Sequence, residues 1–192
     1  MKGRGLKGVL WIISDSHAGL VDAARKPFQG VSWQRCRVHL LRNLLGHTPS
    51  RPRAEGAAHA KRIFQPPDLE EARRQLAAFV TRFETIAPKA ALCLEEGFED
   101  AVSVMGLPEK DRRRLRTTNM QERLNEEIRR RERVIRIFPN IESAHRLVGS
   151  LLVEQHGTWA EQCDLNREEF HEWLASRQPA GPPSEKVVSL MS

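Results

Sequence analysis

Residues 8–28 read GVLWIISDSHAGLVDAARKPF, in which a continuous apolar run turns polar at Ser14 and Asp15 and then becomes helical in pattern. The run GVLWII consists of large and β-branched residues, which is typical of a strand that is buried on both faces. The residues that follow predict a helix that ends before Pro27. The stretch therefore predicts an α/β unit with Asp15 just past the carboxyl end of its strand.

A second α/β unit is predicted for residues 31–46, VSWQRCRVHLLRNLLG, with a short strand around Val31 to Trp33 and a helix after it. The next ten residues, HTPSRPRAEG, predict a loop because Pro, Ser and Gly break regular structure. From Asp68 to Met105 apolar residues recur every three or four positions, which predicts an inserted helical hairpin. We therefore expect an α/β protein that is mostly helical overall.

The composition favours a polyanionic partner. The chain has 192 residues with 31 Lys+Arg against 25 Asp+Glu, a net charge of +6 and a pI near 9.7, which makes nucleic acid the first candidate. Three widely spaced cysteines imply no disulfide framework and fit a reducing cytoplasm. No apolar run approaches the roughly 18 residues of a membrane span. We expect a cytoplasmic, nucleoid-associated protein with no membrane partner.

Asp15 has two interpretations on the sequence alone. Its place past the end of a strand is where open α/β sheets present functional groups, and a carboxylate there can reach a metal ion. Alternatively, Ser14, Asp15 or Ser16 caps the helix that follows, and His17 would then have no function. The local pattern by itself favours the helix cap over the metal ligand.

Glu122 raises the same choice within residues 114–138, RLRTTNMQERLNEEIRRRERVIRIF. With Asn119 as the helix cap, Glu122 would occupy the third helical position and complete a capping box. Alternatively, Glu122 and Asn125 face one side with Arg129 a turn further on, so that a metal-binding carboxylate and a phosphate-binding cation line one edge. Surface ion pairs at a spacing of four residues are also predicted, for Glu126 with Arg130 and for Glu127 with Arg131.

Cys36 and His39 lie at the C-x-x-H spacing that zinc ligands often have. A closed zinc site needs four ligands, and no second well-spaced pair follows, because His47, His59 and Cys93 are scattered. The sequence therefore favours a buried thiol and a polar histidine near a functional centre over a zinc site.

Three segments, IISDSHAGL (12–20), WQRCRVHLLRN (33–43) and LRTTNMQERLNEEIRRRERVIRIFPN (115–140), closely resemble the Mutator-type transposases of bacterial insertion sequences. A helical stretch lies between the last two, and LVGSLLVEQHGTW (147–159) is similar to the C-terminal helix of that family. The resemblance covers roughly residues 5–160. It implies a partial ribonuclease H-like core with a DDE triad, interrupted before the glutamate by an all-helical insertion.

The resemblance also implies roles for individual residues. Asp15 is similar to the second aspartate of the family and Glu122 to its closing glutamate, both catalytic metal ligands, while Cys36, His39 and Asn119 match motif positions of unassigned role. The implied cofactor is Mg²⁺ or Mn²⁺, which activates water and then a freed 3′-hydroxyl for attack on DNA phosphodiesters. The implied contacts to transposon ends and target DNA are Arg116, Arg123, Asn125, Arg129, Arg130, Arg131 and Arg133.

One departure from the family concerns its first aspartate, which lies on a strand upstream of GVLWII. Residues 1–14 contain neither Asp nor Glu. We therefore expect a truncated transposase that is inactive alone and that need not bind metal by itself. The alternative is a non-enzymatic remnant that binds DNA, a second copy of itself or a full-length transposase. A small basic regulator would need a helix-turn-helix, which the sequence does not convincingly contain.

Four segments are predicted from the pattern and the resemblance together. Residues 1–60 form the partial ribonuclease H-like core with the second aspartate, and residues 61–110 form the helical insertion. Residues 111–176 form core helices with the glutamate and the basic, DNA-contacting segment. Residues 177–192, RQPAGPPSEKVVSLMS, predict a disordered tail because they are rich in Pro, Gly and Ser.

Overall fold

The computed structural model describes residues 5–28, 31–65, 68–161 and 167–177, and the predicted tail from residue 178 onward lies outside them. The described chain is mostly helical, as predicted, with a small sheet. In chain order the elements are β1 (Trp11–Ser14), α1 (Ala18–Arg25), β2 (Ser32–Arg35), α2 (Arg37–Gly46), α3 (Arg53–Ile63), α4 (Leu69–Phe83), α5 (Pro88–Val102), a short 3₁₀ helix (Ser103–Gly106), α6 (Glu109–Leu115), α7 (Asn119–Ile135), α8 (Ile141–Glu161) and α9 (Arg167–Arg177).

The two strands lie side by side and run parallel, from Trp11 opposite Ser32 to Ser14 opposite Arg35. Parallel neighbours need a crossover, which α1 provides. Both α/β units predicted from the sequence are therefore present, although β2 extends to Arg35 rather than ending near Trp33. Within the described residues the sheet has these two strands alone, so the fold by itself establishes a β-α-β unit and no larger sheet.

The core is formed by α2 to α5, which pack on one another, while α5 also packs on β2. Phe79 and Phe83 of α4 stack with ring centroids 4.4 Å apart, and the His59 ring from α3 makes a T-shaped contact with Phe79 at 5.4 Å between centroids. The predicted helical hairpin corresponds to α4 and α5. Fully buried apolar side chains from α2, α3 and α5 complete this core, among them Leu40, Leu44, Ile63, Leu94 and Phe98.

The structure corrects the loop that was predicted for residues 47–56, because α3 already begins at Arg53. Ala60 and Ile63 of this helix are fully buried. Packing of a helical face against neighbouring helices stabilises a helix more than local propensity does. The Pro, Ser and Gly content of the segment was therefore a poor guide to its structure.

A buried polar network fixes the junction between β2 and α2. Gln34 accepts from the Val104 amide at 2.7 Å through Oε1 and donates from Nε2 to the Ala101 carbonyl at 2.6 Å. Arg37 donates from Nε to the same carbonyl at 2.9 Å. Buried polar groups that are fully hydrogen-bonded make a rigid junction. Because Cys36 lies between Gln34 and Arg37, this network fixes its position.

The helix α7 is attached to the fold differently, since Leu124 is its only buried residue among those described. It begins at Asn119 and ends before Arg136, whose φ is 62°. The Ile137 amide donates to the Ile135 carbonyl at 2.7 Å, so Arg136 is the central residue of a γ-turn with positive φ. This conformation is strained for a residue with a side chain, and it ends the helix sharply.

The chain divides into two compact units, Met1–Val148 and Gly149–Ser192. In the second unit the described residues are the later part of α8 and α9, where the rings of Phe170 and Trp173 lie 5.5 Å apart. Among the helices that the structure describes, none combines the length and the apolar character needed to cross a membrane.

Candidate functional site

Two helix starts bring three potential metal ligands together. Cys36 is the residue before α2 and His39 lies in its first turn, whereas Glu122 lies in the first turn of α7. One ligand atom of each side chain lies within 4.8 Å of those of the other two. His39 Nε2 is 3.6 Å from Glu122 Oε1. The sequence placed Cys36 and His39 in one motif and Glu122 in another, and the structure brings these two motifs together.

Thr118 connects the thiol to the carboxylate. Its amide donates to Cys36 Sγ at 3.4 Å, and its hydroxyl oxygen lies 3.4 Å from the same sulphur and 2.9 Å from Glu122 Oε1. A hydroxyl carries one proton and donates to one acceptor at a time, and the shorter distance favours the carboxylate. Thr118 therefore orients the side chain of Glu122.

Glu122 retains the capacity to bind a cation. Arg42 Nη2 lies 3.8 Å from Glu122 Oε2, and this distance, like that to His39, is longer than a hydrogen bond. A carboxylate has about four lone-pair sites, of which the Thr118 hydroxyl uses one. The side chain of Glu122 is 32% exposed, so an ion can reach it from solvent.

Asp15 is linked to this cluster through the backbone. The Ser14 carbonyl accepts from the Cys36 amide at 2.7 Å, which continues the pairing of β1 and β2 into the start of α2. Asp15 is half-buried, and its Oδ1 accepts from the His17 amide at 3.2 Å. The structure thus places Asp15 at the same edge of the sheet as Cys36. It is not one of the three side chains that group within 4.8 Å.

Neither helix-cap interpretation fits as predicted. The residue before α1 is His17, and Asp15 bonds the amide of that residue rather than an amide inside the helix. At α7 the residue before the helix is Thr118 rather than Asn119. Glu122 accepts from the Thr118 hydroxyl instead of closing a capping box on Asn119. Both carboxylates therefore lack the role that capping would have given them.

Glu127 binds two of the arginines that were predicted to contact DNA. Its carboxylate accepts from Arg130 Nε and Nη2, each at 2.7 Å, and from Arg131 Nε at 2.9 Å. These hydrogen bonds, first from Arg130 and then from Arg131, lower the pKa of Glu127 to about 2. The predicted pair of Glu127 with Arg131 is confirmed. Arg130 also pairs with Glu127, so its predicted pairing with Glu126 was wrong.

Three further cations define what we call the cationic stripe of α7: Arg129, Arg133 and Arg136. They line a surface groove together with Glu132, and in the part of the chain that the structure describes none of the three forms an ion pair. The stripe is exposed. Four other residues that the sequence analysis named on this segment are also exposed: Arg116, Asn119, Arg123 and Asn125.

Sequence reasoning missed Thr118, Arg42 and Arg37. Arg42 could have been found, because it lies three residues after His39 and so faces the same side of a helix. Thr118 had no signal beyond its place next to Asn119. Arg37 could not be found because its burial depends on distant segments. That burial, followed by the charges of two nearby arginines, lowers the pKa of Arg37 to about 10.

Comparisons with known proteins show the family to which the chain is similar. A sequence model described as "Transposase, Mutator family" matches residues 1–162. The transposase for insertion sequence element ISRM5 of Rhizobium meliloti (strain 1021) is 43% identical over 183 residues, which cover 94% of this chain and 46% of that protein. The transposase for IS256 in transposon Tn4001 of Staphylococcus aureus is 44% identical over 163 residues, covering 83% of this chain and 41% of that protein.

The transposase for insertion sequence element IS406 of Burkholderia multivorans is 46% identical over 158 residues, covering 81% of this chain and 40% of that protein. The chain thus spans less than half the length of each of these relatives. Asp15, the pair of Cys36 and His39, and Glu122 all lie within the matched residues. On this match, the chain belongs to the Mutator family of transposases.

Proposed function

We propose that the chain acts in DNA transposition as part of a DDE-type transposase, with Asp15 and Glu122 as two of its metal-binding carboxylates. The observation that carries the proposal is the meeting of the sheet edge with the start of α7. The hydrogen bond from Cys36 to Ser14 and the contact of Cys36 with Thr118 link the segment of Asp15 to that of Glu122. Carboxylates from distant segments have to converge in such an active site.

The two carboxylates suit Mg²⁺ or Mn²⁺, because these hard cations prefer oxygen ligands. Asp15 and Glu122 each use one oxygen to accept a hydrogen bond, and each keeps lone pairs for a cation. Both side chains are partly accessible to solvent. When bound, such ions generate a nucleophile from water or a 3′-hydroxyl and neutralise charge on the phosphate.

The surrounding residues have supporting roles in this proposal. Thr118 orients Glu122, and the cationic stripe of α7 binds DNA phosphates without regard to sequence. Of the predicted contacts, Arg130 and Arg131 contribute less, because Glu127 already compensates their charge.

The architecture supports a ribonuclease H-like interpretation of the first α/β units. In sheets of this kind functional groups follow the carboxyl ends of strands, and Asp15 directly follows β1. The helices α3 to α5 come after α2 and before α7, which is where the family resemblance implies an all-helical insertion ahead of the glutamate.

Excision of a reporter element tests the proposal. Since the chain matches 46% of the ISRM5 transposase, a chimera with this chain in place of the matching part supplies the remaining residues. We expect the chimera to excise a reporter flanked by the ends of that element. Asp15→Asn and Glu122→Gln should each abolish excision, because each removes a metal ligand.

Glu127→Gln is the matched control, since it removes an equal charge from the same helix and lies outside the proposed metal site. It should retain excision. The 192-residue chain alone should give none, because two carboxylates do not complete a two-metal site. Excision that persists in both Asp15→Asn and Glu122→Gln would overturn the assignment.

A second candidate function, DNA binding without catalysis, is favoured by the unpaired cationic stripe of α7. It requires only phosphate contacts, whose strength depends steeply on salt. An inactive chimera, combined with salt-dependent binding of duplex DNA by the chain, would favour this candidate over a catalytic one.

A further inference from the structure

The cluster of Cys36, His39 and Glu122 has a ligand chemistry that differs from a pair of carboxylates. Mg²⁺ prefers oxygen ligands in octahedral arrangement, whereas thiolate and imidazole ligands select Zn²⁺ and similar ions. We propose that these three side chains bind an ion of the Zn²⁺ class, with a fourth coordination position open to water. The binding itself does not depend on the proposed function.

The spacing of the ligand atoms fits tetrahedral coordination after small side-chain movements. Zinc bonds of roughly 2.0 Å to nitrogen or oxygen and roughly 2.3 Å to sulphur separate neighbouring ligand atoms by roughly 3.3–3.6 Å. The three ligand atoms already lie within 4.8 Å of one another. His39 Nε2 and Glu122 Oε1, at 3.6 Å, lie within about 0.3 Å of the separation that such bonds give a nitrogen–oxygen pair.

The candidate zinc site is buried at Cys36 and open to solvent at His39 and Glu122. Cys36 is fully buried, and the Thr118 amide directed at its sulphur is the kind of outer contact that orients a metal ligand. The side chains of His39 and Glu122 are 30% and 32% exposed, so an ion can enter from solvent and keep a bound water. Three protein ligands and one water are the arrangement of open zinc sites.

His39 can bind the ion through Nε2, the ring nitrogen that lies 3.6 Å from Glu122 Oε1. Nδ1 is buried and has no hydrogen-bond partner in the described part of the chain. When Nε2 binds an ion, Nδ1 carries the ring proton and needs an acceptor, a place that an ordered water can take. Arg42 Nη2, 3.8 Å from Glu122 Oε2, would repel a bound cation, but its side chain is 62% exposed and can turn toward solvent.

The sequence disfavoured zinc because no second Cys/His pair follows Cys36 and His39. That argument assumed a closed site with four protein ligands. The structure supplies the third ligand from another helix as the carboxylate of Glu122. If Glu122 also binds the catalytic ions, then Zn²⁺ and Mg²⁺ compete for it, a consequence that rests on the proposed function.

The binding test uses the 192-residue chain with Cys93→Ser and Cys163→Ser, which leaves Cys36 as the only thiol. Co²⁺ is the probe, because a cobalt–thiolate bond gives a charge-transfer absorption band and tetrahedral Co²⁺ gives intense visible bands. We expect one equivalent of Co²⁺ to produce both, and Zn²⁺ to displace it. Competition with a chromogenic chelator then measures the affinity for Zn²⁺.

Cys36→Ser should remove the charge-transfer band, and Glu122→Gln and His39→Asn should each weaken Zn²⁺ binding at least about tenfold. Glu127→Gln should leave the affinity unchanged. Circular dichroism checks that each variant folds. If Cys36→Ser does not fold, the variants of the two partly exposed ligands, His39→Asn and Glu122→Gln, still test the proposal. A folded parent without the charge-transfer band, or unchanged affinity in both Glu122→Gln and His39→Asn, would overturn the proposal. These measurements involve no DNA, so failure of the excision assay leaves them unaffected.

Discussion

The helices α4 and α7 are both rich in arginine and glutamate, with 15 and 17 residues, yet they are held in the fold in different ways. The α4 helix buries Phe79 and Phe83 against its neighbours. Besides internal pairs such as Arg74 with Glu71, two of its arginines reach other helices, Arg73 to Glu99 of α5 at 3.2 Å and Arg82 to Glu55 of α3 at 2.9 Å. The charged surface of α4 therefore belongs to the packed part of the molecule.

The α7 helix buries Leu124 alone among its described residues, and its shortest ion pairs are internal, centred on Glu127, while Glu122 at its start makes longer contacts with His39 and Arg42 of α2. Arg123 and the stripe of Arg129, Arg133 and Arg136, the last of them just past the helix, face solvent. A similar composition thus serves packing in one helix and an exposed cationic surface in the other. The partners of the charges distinguish the two uses, and they cannot be read from the number of charged residues.

Removal of a buried ring from α4 should lower the free energy of unfolding far more than removal of an exposed side chain from α7. Phe79→Ala removes a fully buried ring that stacks on Phe83, and we expect a loss of about 3–5 kcal/mol in the free energy of unfolding. The control is Val134→Ala on α7, where the side chain is 76% exposed and the change should stay within about 0.5 kcal/mol. Denaturant unfolding measures both. Equal losses of unfolding free energy would contradict the view that α4 is packed in the core and α7 is not.

A glycine substitution tests how closely α2 and α5 approach. A Cβ atom added at Gly97 would lie 2.5 Å from Arg35 Nη1 and 2.7 Å from Cδ1 of the buried Leu40. Gly97→Ala should therefore destabilise by about 1–3 kcal/mol, although alanine favours helices. Gly149→Ala meets nothing within 4 Å and should be neutral or stabilise by up to about 1 kcal/mol. A gain at both positions in thermal unfolding would refute the close approach.

The elements with strong periodicity could be predicted, and those that depend on burial could not. Apolar residues at helical spacing from Asp68 onward located α4, and the Asp68 carboxylate accepts from the Glu71 amide at 2.8 Å as its cap. The α3 helix was missed because its polar segment gains stability from burial of Ala60 and Ile63 against other helices. Contacts of that kind leave no local pattern.

The candidate site was predictable in its parts but not in its grouping. The sequence singled out Asp15, Cys36, His39 and Glu122 by motif. The approach of Glu122 to the C-x-x-H motif depends on how α7 meets α2, which no spacing within either motif specifies. Thr118, which contacts both motifs, was missed for the same reason.

Removal of stripe cations should weaken DNA binding more than removal of paired cations on α4. Arg129→Ala combined with Arg133→Ala should reduce the magnitude of the salt slope by up to about 2, equally for unrelated duplexes. The matched control, Arg73→Ala with Arg74→Ala, removes the same charge from arginines that pair with glutamates. It should leave the slope nearly unchanged. The salt slope is measured by fluorescence titration of DNA binding. Equal slopes for the two double variants would mean that DNA binding depends only on the net charge of the protein.

Two single substitutions, at Glu127 and at Glu126, test whether Glu127 weakens DNA binding. Glu127→Gln frees Arg130 and Arg131, whereas Glu126→Gln removes the same charge without releasing a described ion pair. Both variants should bind duplex DNA more tightly than the parent. The gain in salt slope should be larger for Glu127→Gln, by up to about 1 for each cation that reaches a phosphate. Indistinguishable slopes would show that Arg130 and Arg131 do not reach the DNA.

The smallest expected effect is the pH dependence of α7. Hydrogen bonds from Arg130 and then Arg131 hold the pKa of Glu127 at about 2, below its ordinary value of 4.5. A lowered pKa in the folded state means that the ion pairs stabilise the helix above pH 4.5 and lose this contribution as the pH falls toward 2. The contribution is modest because the pair is exposed to solvent.

Two measurements check the sign of this effect. The side-chain carboxyl resonance of Glu127 in ¹³C NMR should titrate near pH 2. Helical circular dichroism of the parent should fall between pH 4.5 and 2 by slightly more than that of Glu127→Gln, because only the parent loses these ion pairs. A Glu127 carboxyl that titrates at its ordinary value would show that Arg130 and Arg131 are free in solution, and Glu127 would then not compensate their charge.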